Sequence, residues 1–94
     1  MEYADEMNEH FAWLILQLAQ LAAICFGDIA DPSGERGESH LAGAGQVIET
    51  LGMLQEKTRG NLTAAESKSL EDLLYELRLR YVQAQGESKR IIEP

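Results

Sequence analysis

His10, Cys25 and His40 are the side chains best suited to metal ligation or nucleophilic chemistry, and their spacing opposes both. Zinc-type donors recur in patterns such as His-Glu-x-x-His or Cys-x-x-Cys, which put two ligands on one face of an element. Neither histidine has a ligand-type neighbour at such a spacing, and the two lie thirty positions apart. If residues 10 to 25 form one helix, a rise of ~1.5 Å per residue separates His10 from Cys25 by more than ~20 Å. The three then cannot share one intrachain site. Asp28, Asp31, Glu35 and Glu38 invite a calcium reading, but they do not follow the alternating Asp pattern with a closing Glu that an EF-hand loop needs. Solvated loop charge is the simpler reading. "GERGES" has no Gly-Lys-Ser/Thr ending, so no phosphate loop is expected there. Glu71, Asp72 and Glu76 read as a solvated acidic face, and Arg78 with Arg80 as a solvated pair with some capacity for an anion. Catalysis needs a nucleophile, a base and a charge stabiliser that converge. With no such set, the chain is expected to be no enzyme and to hold no catalytic, cofactor or metal site.

Charge narrows the partners. The 94 residues carry a net charge of −8. Residues 1–40 hold eight acids against Arg36 alone, so nearly all of the excess lies there. Such a field repels phosphate backbones and anionic lipid headgroups, which argues against nucleic acid and disfavours a membrane. The single cysteine permits no intrachain disulfide and suits a reducing compartment, so a cytoplasmic location is expected.

The element that carries most of the apolar residues is the first. "FAWLILQLAQLAAICF" (residues 11–26) is broken only by Gln17 and Gln20. It is shorter than the ~20 residues of a usual membrane span. It has acidic flanks where a signal peptide or an oriented span would have basic ones. Read as a helix, it has one narrow polar stripe of Glu6, His10, Trp13, Gln17 and Gln20. Phe11, Leu14, Ile15, Leu18, Leu21, Ala22 and Cys25 form a broad apolar face. Ala12, Leu16, Ala19, Ala23 and Phe26 form a second. One face suffices for a helix on a monomer's surface, so a helix apolar nearly all round must be covered on several sides. A second copy on the alanine-rich face is the expected cover, with Trp13, Leu16, Ala19, Ala23 and Phe26 as the interface. The alternative is a first helix sunk between the other two.

The remaining elements position that helix. Gly27 reads as a helix terminator and Asp31-Pro32-Ser33-Gly34 as a turn within an exposed loop over 27–39. Ser39 suits the N-cap of a second helix over about 40–58, with Leu41, Ala44, Val47, Ile48, Leu51 and Leu54 on its apolar side. Gly43, Gly45 and Gly52 weaken that helix and predict a close approach by another backbone. "KTRGNLTAAE" (residues 57–66) then holds a stop and a start: Gly60 for a left-handed turn, and Thr63 with Glu66 as a capping box. Its expected role is a structural helix corner. A third helix over about 64–85 shows the stripe Leu70, Leu73, Leu74, Leu77, Tyr81 and Ala84. Tyr75, Leu79 and Val82 would widen the contact, Glu76 and Arg80 would pair at i,i+4, and Gly86 would end the helix before a frayed tail over 86–94.

Two stretches, "FAWLILQLAQLAAICFGDIADP" and "VIETLGMLQEKTRGNLTAAESKSLEDLLYELRLRYV", resemble a bacterial family of short helical proteins, domain-of-unknown-function family 1844. The match falls on Phe11, Leu16 and Leu18, on Gly27, Asp31 and Pro32, and through Leu51 to Val82. Ser39-His40 replaces the acidic cap usual there before the second helix. The resemblance implies the helical layout and no mechanism.

Together these readings predict a single all-α domain of three helices. The first spans about 7–26, and helices 2 and 3 form an antiparallel hairpin with the strongly apolar helix 1 packed across it. The expected function is structural or interactive, as a homo-oligomer of two or more copies, with an unidentified protein partner possible. Insertion of helix 1 at a membrane surface is the alternative, and a small enzyme or metal-binding protein is the third reading.

Overall fold

The computed structural model describes residues 6–28 and 40–92, with side chains described through Gly86. Three helices make up the fold: α1 (Glu9–Phe26), α2 (Leu41–Lys57) and α3 (Ala64–Ile92). No strand occurs among the described residues.

Local chemistry sets most of the ends. Asn8 is extended and its side-chain oxygen accepts the amides of His10 at 2.8 Å and Phe11 at 3.1 Å, which satisfies two orphan donors of α1. Gly27 closes α1 at φ 83°, in the left-handed region. Its amide donates to Ile24 and that of Asp28 to Ala23, the paired bonds of a Schellman motif. His40, rather than Ser39, holds the N-cap position of α2, and its side chain makes no capping bond. Ser39 and the proposed turn at 31–34 lie outside the described residues. The His40 amide instead donates to the Cys25 carbonyl, so the start of α2 is tied to the end of α1. At the far end of α2, the Thr58 hydroxyl donates to the Leu54 carbonyl at 2.7 Å. The Asn61 amide then closes a turn onto Thr58, with Gly60 inside it at φ 85°.

The third helix is longer than its sequence suggests. Gly86 does not end it; α3 continues through Gly86 to Ile92, so residues 86–92 are not a frayed tail. A glycine inside a helix costs only ~1 kcal/mol, and no proline follows before Pro94.

Ile15, Ala22, Cys25 and Phe26 of α1, Ala44, Val47 and Leu51 of α2, and Leu70 and Leu74 of α3 make one core. Phe11, Leu18, Ile48, Leu54, Leu62, Leu73, Leu77, Tyr81 and Ala84 pack around it. The periodic stripes expected of α2 and α3 all reach this core. Helices α2 and α3 pack as an antiparallel hairpin, and α1 lies against both. Asn8 sits beside Glu66 at the start of α3, and Asp28 beside Arg80 further along, so α1 runs in the same sense as α3. Tyr75, Leu79 and Val82 do not widen the contact; they are exposed, because α1 and α2 cover only one side of the longer α3. Arg80 does not pair with Glu76. Its guanidinium forks onto Asp28 at 3.0 and 2.7 Å and lies 4.9 Å above the centre of the Phe26 ring.

The glycines of α2 meet side chains rather than backbone. A Cβ on Gly43 would lie 2.8 Å from His40 Nδ1 and 2.9 Å from Cys25 Sγ, so any larger residue there would have to displace the His40 ring and the Cys25 thiol. Gly45 faces the Tyr81 ring at ordinary contact distance, and Gly52 has only the Arg78 guanidinium near it.

Candidate functional site

The chemistry-bearing residues divide as their spacing predicts, with one addition. Helix α1 is continuous, so His10 stands at the opposite end from Cys25. Cys25 and His40 do meet: both approach the same point above Gly43. The thiol is buried and the imidazole exposed, and no third ligand joins them among the described residues. Sequence spacing could not show this pair, because it forms where one helix ends and another begins. Asp31, Glu35 and Glu38 lie outside the described residues. Asp28 is engaged by Arg80, which accounts for one half of the expected arginine pair.

The helix corner carries more than its own turn. Glu66 accepts the Thr63 amide at 2.9 Å and its own amide donates to the Thr63 hydroxyl at 3.1 Å, which completes the capping box. The second carboxylate oxygen accepts the Asn8 amide at 2.7 Å. One side chain, 6% exposed, thus joins the first turns of α1 and α3 across 58 positions of sequence. Asn8 was not visible as a partner: an Asn before a helix signals a cap, but nothing local says what its backbone meets. The Thr63 amide, then the Asn8 amide, hold the Glu66 carboxyl below its ordinary value of 4.5, against a smaller opposing effect of burial. A depressed carboxyl pKa adds stability above the unfolded value, and that stability is lost as pH falls through the lower folded value. In Glu66→Gln the carboxamide oxygen can accept one amide while its NH2 faces the other. The melting-temperature gap between wild type and Glu66→Gln is therefore expected to be widest at neutral pH and to close as pH falls below 4.5. Thermal melts by circular dichroism across that range check it. A gap that persists unchanged into acid would mean that Glu66 contributes shape rather than a charged acceptor.

The other candidate is a surface. Only four of the 18 residues of α1 are buried. No charged side chain occurs from His10 through Gly27. Trp13 is 64% and Leu16 52% exposed, and Leu14 and Leu21 also face outward. The expected broad face is thus turned: Phe11, Ile15, Leu18, Ala22 and Cys25 point to the core, while Leu14 and Leu21 do not. Ala22, with no exposed area, lets α2 and α3 come close and centres the seam on that sector.

The five expected interface residues divide accordingly. Trp13 and Leu16 lie on the open side. Ala19 and Ala23 are half-buried and line a groove of about 330 Å³ between α1 and α3, with Leu77, Leu79 and Arg80 opposite. Phe26 is corrected: at 6% exposed it belongs to the core and cannot be a principal contact. The Schellman turn and the Arg80 fork fold the end of α1 inward, and the ring is covered from above. Among the described residues, no third layer covers the outer side of α1.

No curated protein matches the chain, and no solved structure matches it. A family model described as Domain of unknown function (DUF1844) matches residues 8–83, most of the chain and all the structure that builds this face, and the protein belongs to that family.

Proposed function

We propose that this protein is a non-enzymatic interaction module of the cytoplasm, a homo-oligomer assembled through the outer side of α1. One observation carries the reading: an 18-residue helix without a charge between its ends keeps most of its residues outside the monomer's core. A soluble monomer rarely leaves four large apolar side chains, here Trp13, Leu14, Leu16 and Leu21, exposed on one uncharged side of a helix. Cys25 is a packed thiol in this reading, and the helix corner is structural.

Light scattering after size exclusion tests it. The expected mass is a multiple of 10.5 kDa; monomer alone at high micromolar concentration overturns the proposal. Each copy carries −8, so copies repel at long range while the outer stripe of α1 carries no charge between His10 and Gly27. Salt screens that repulsion. The apparent dissociation constant is therefore expected to fall as ionic strength rises from ~0.01 M to ~0.15 M, where the Debye length shrinks from ~30 to ~8 Å. An assembly that loosens with salt would point to ion pairs instead.

A second reading has one specific observation behind it. By length and composition α1 could cross a membrane, and 22% of it is buried. The acidic flanks oppose insertion beside anionic lipid. Flotation with neutral and anionic liposomes separates the two readings.

A further inference from the structure

We infer that two copies pair through α1 in antiparallel register, with Trp13 of one seated beside Ala23 of the other; this rests on the self-association reading above. Trp13, Leu16, Gln20 and Ala23 are spaced 3, 4 and 3 apart and form one stripe at the alternating spacing of a two-helix seam. The stripe runs along the uncovered side, with Trp13, Leu16 and Gln20 exposed and Ala23 half-buried.

Its large and small residues are distributed about its own midpoint. A two-fold interface is self-complementary: if residue i meets j, then j meets i. Antiparallel pairing centred between Leu16 and Gln20 puts Trp13 opposite Ala23 and Leu16 opposite Gln20, each twice. Every layer then joins a bulkier side chain to a smaller or more adaptable one. Parallel pairing would stack Trp13 on Trp13 at one end and leave Ala23 against Ala23 at the other, an overfilled layer and a hole. The antiparallel arrangement also opposes the two helix dipoles.

The space beside Ala23 is already shaped. Ala23 and Ala19 form one wall of the groove whose far wall is Leu77 and Leu79 of α3, with Glu76, Arg80 and Gln83 beside them. An indole that crosses Ala23 enters that groove and loses its exposure to water. Asp28, which would otherwise put a bare carboxylate near the partner's acidic Glu9, is held by the Arg80 fork. A second copy is a better occupant than a lipid tail, because a lipid surface would not require Trp13 and Ala23 to be symmetrically placed.

Trp13 is the only tryptophan, so its emission reports the partner directly. A second chain carrying Trp13→Phe, Cys25→Ser and Ile24→Cys with a nitroxide label is mixed with wild type. Ile24 is half-buried and one step off the stripe. Antiparallel pairing brings the label beside Trp13 of the wild-type copy, and that emission is expected to lose most of its intensity as concentration rises. A label at Glu9→Cys in the same background is expected to quench little, since it would sit ~20 Å from Trp13 at ~1.5 Å per residue. Quenching from position 9 and not 24 would mean parallel pairing and would overturn the inference. Oligomer by light scattering with no quenching from either position would overturn it too, and would leave self-association standing through another face. Monomer alone by light scattering removes both the inference and the reading beneath it.

Discussion

Leu51→Ala is expected to lose about 2–5 kcal/mol of folding free energy, the range for removing a large buried side chain whose cavity does not collapse. Leu51 sits at the centre of α2 with no exposed area, inside the cluster to which all three helices contribute. A chain of this length has a total stability of roughly 5–14 kcal/mol at 0.05–0.15 kcal/mol per residue. The substitution therefore takes from about a seventh to all of it, and the melting temperature falls by roughly 8–40 °C at ~4–8 °C per kcal/mol. Met53→Ala, two residues along on the exposed side of α2, is the control and is expected to change stability by under ~1 kcal/mol. Urea unfolding followed at 222 nm measures both. Equal effects from the two would mean that α2 does not present the side seen here to the core. Helix α1 supplies four of the nine buried apolar residues among those described, so unfolding is expected to be one cooperative step in which α1 is lost with the hairpin.

What could be read without coordinates follows the range of the interactions. Thr63 with Glu66 was legible because a capping box is written in four consecutive residues and closes on itself. Gly27 and Gly60 were legible because a left-handed residue excludes most side chains. The inner stripe of α3 was legible because periodicity alone fixes a helix face once its core side is crowded with leucine. Gly86 misled, because a single glycine is weak punctuation beside a run with no other breaker. Leu14, Leu21 and Phe26 misled for a different reason. On a helix apolar all round, periodicity gives no unique inward direction, and that direction is set by partners: the absence of bulk at Ala22, and Arg80 closing over the Phe26 ring. The bonds from Asn8 to Glu66 and from Arg80 to Asp28 span more than fifty positions and carry no local mark. The candidate face was half legible in the same sense. Its apolar character is local, but the sector left uncovered depends on where α2 and α3 come to rest.

Leu16→Glu is expected to dissolve the assembly while leaving the protomer folded. Leu16 is 52% exposed in the single chain, so a carboxylate there stays in water and disturbs little. Glutamate and leucine have similar helix propensities, and surface changes away from special features usually fall within ~0.5 kcal/mol. In the pair, the same position lies at the centre of the stripe, opposite Gln20, and the two-fold axis places two carboxylates on a stripe that holds no basic residue, while Arg80 nearby is already engaged by Asp28. Burying an ionised group without a partner costs several kcal/mol, or forces it to take up a proton. Even ~1.5–3 kcal/mol at each of two sites raises the dissociation constant by ~10²–10⁴-fold. Light scattering should then give 10.5 kDa at concentrations where wild type gives a multiple of it, with unchanged helical content by circular dichroism. A variant that still assembles would exclude this side of α1 as the interface. A variant that unfolds would mean that Leu16 belongs to the core rather than to the surface. Leu16→Gln distinguishes charge from shape: it removes the apolar contact without adding a carboxylate, so its effect should fall well short of the glutamate's. If the two substitutions weaken assembly equally, lost apolar contact is sufficient and the charge of the seam is not what controls it.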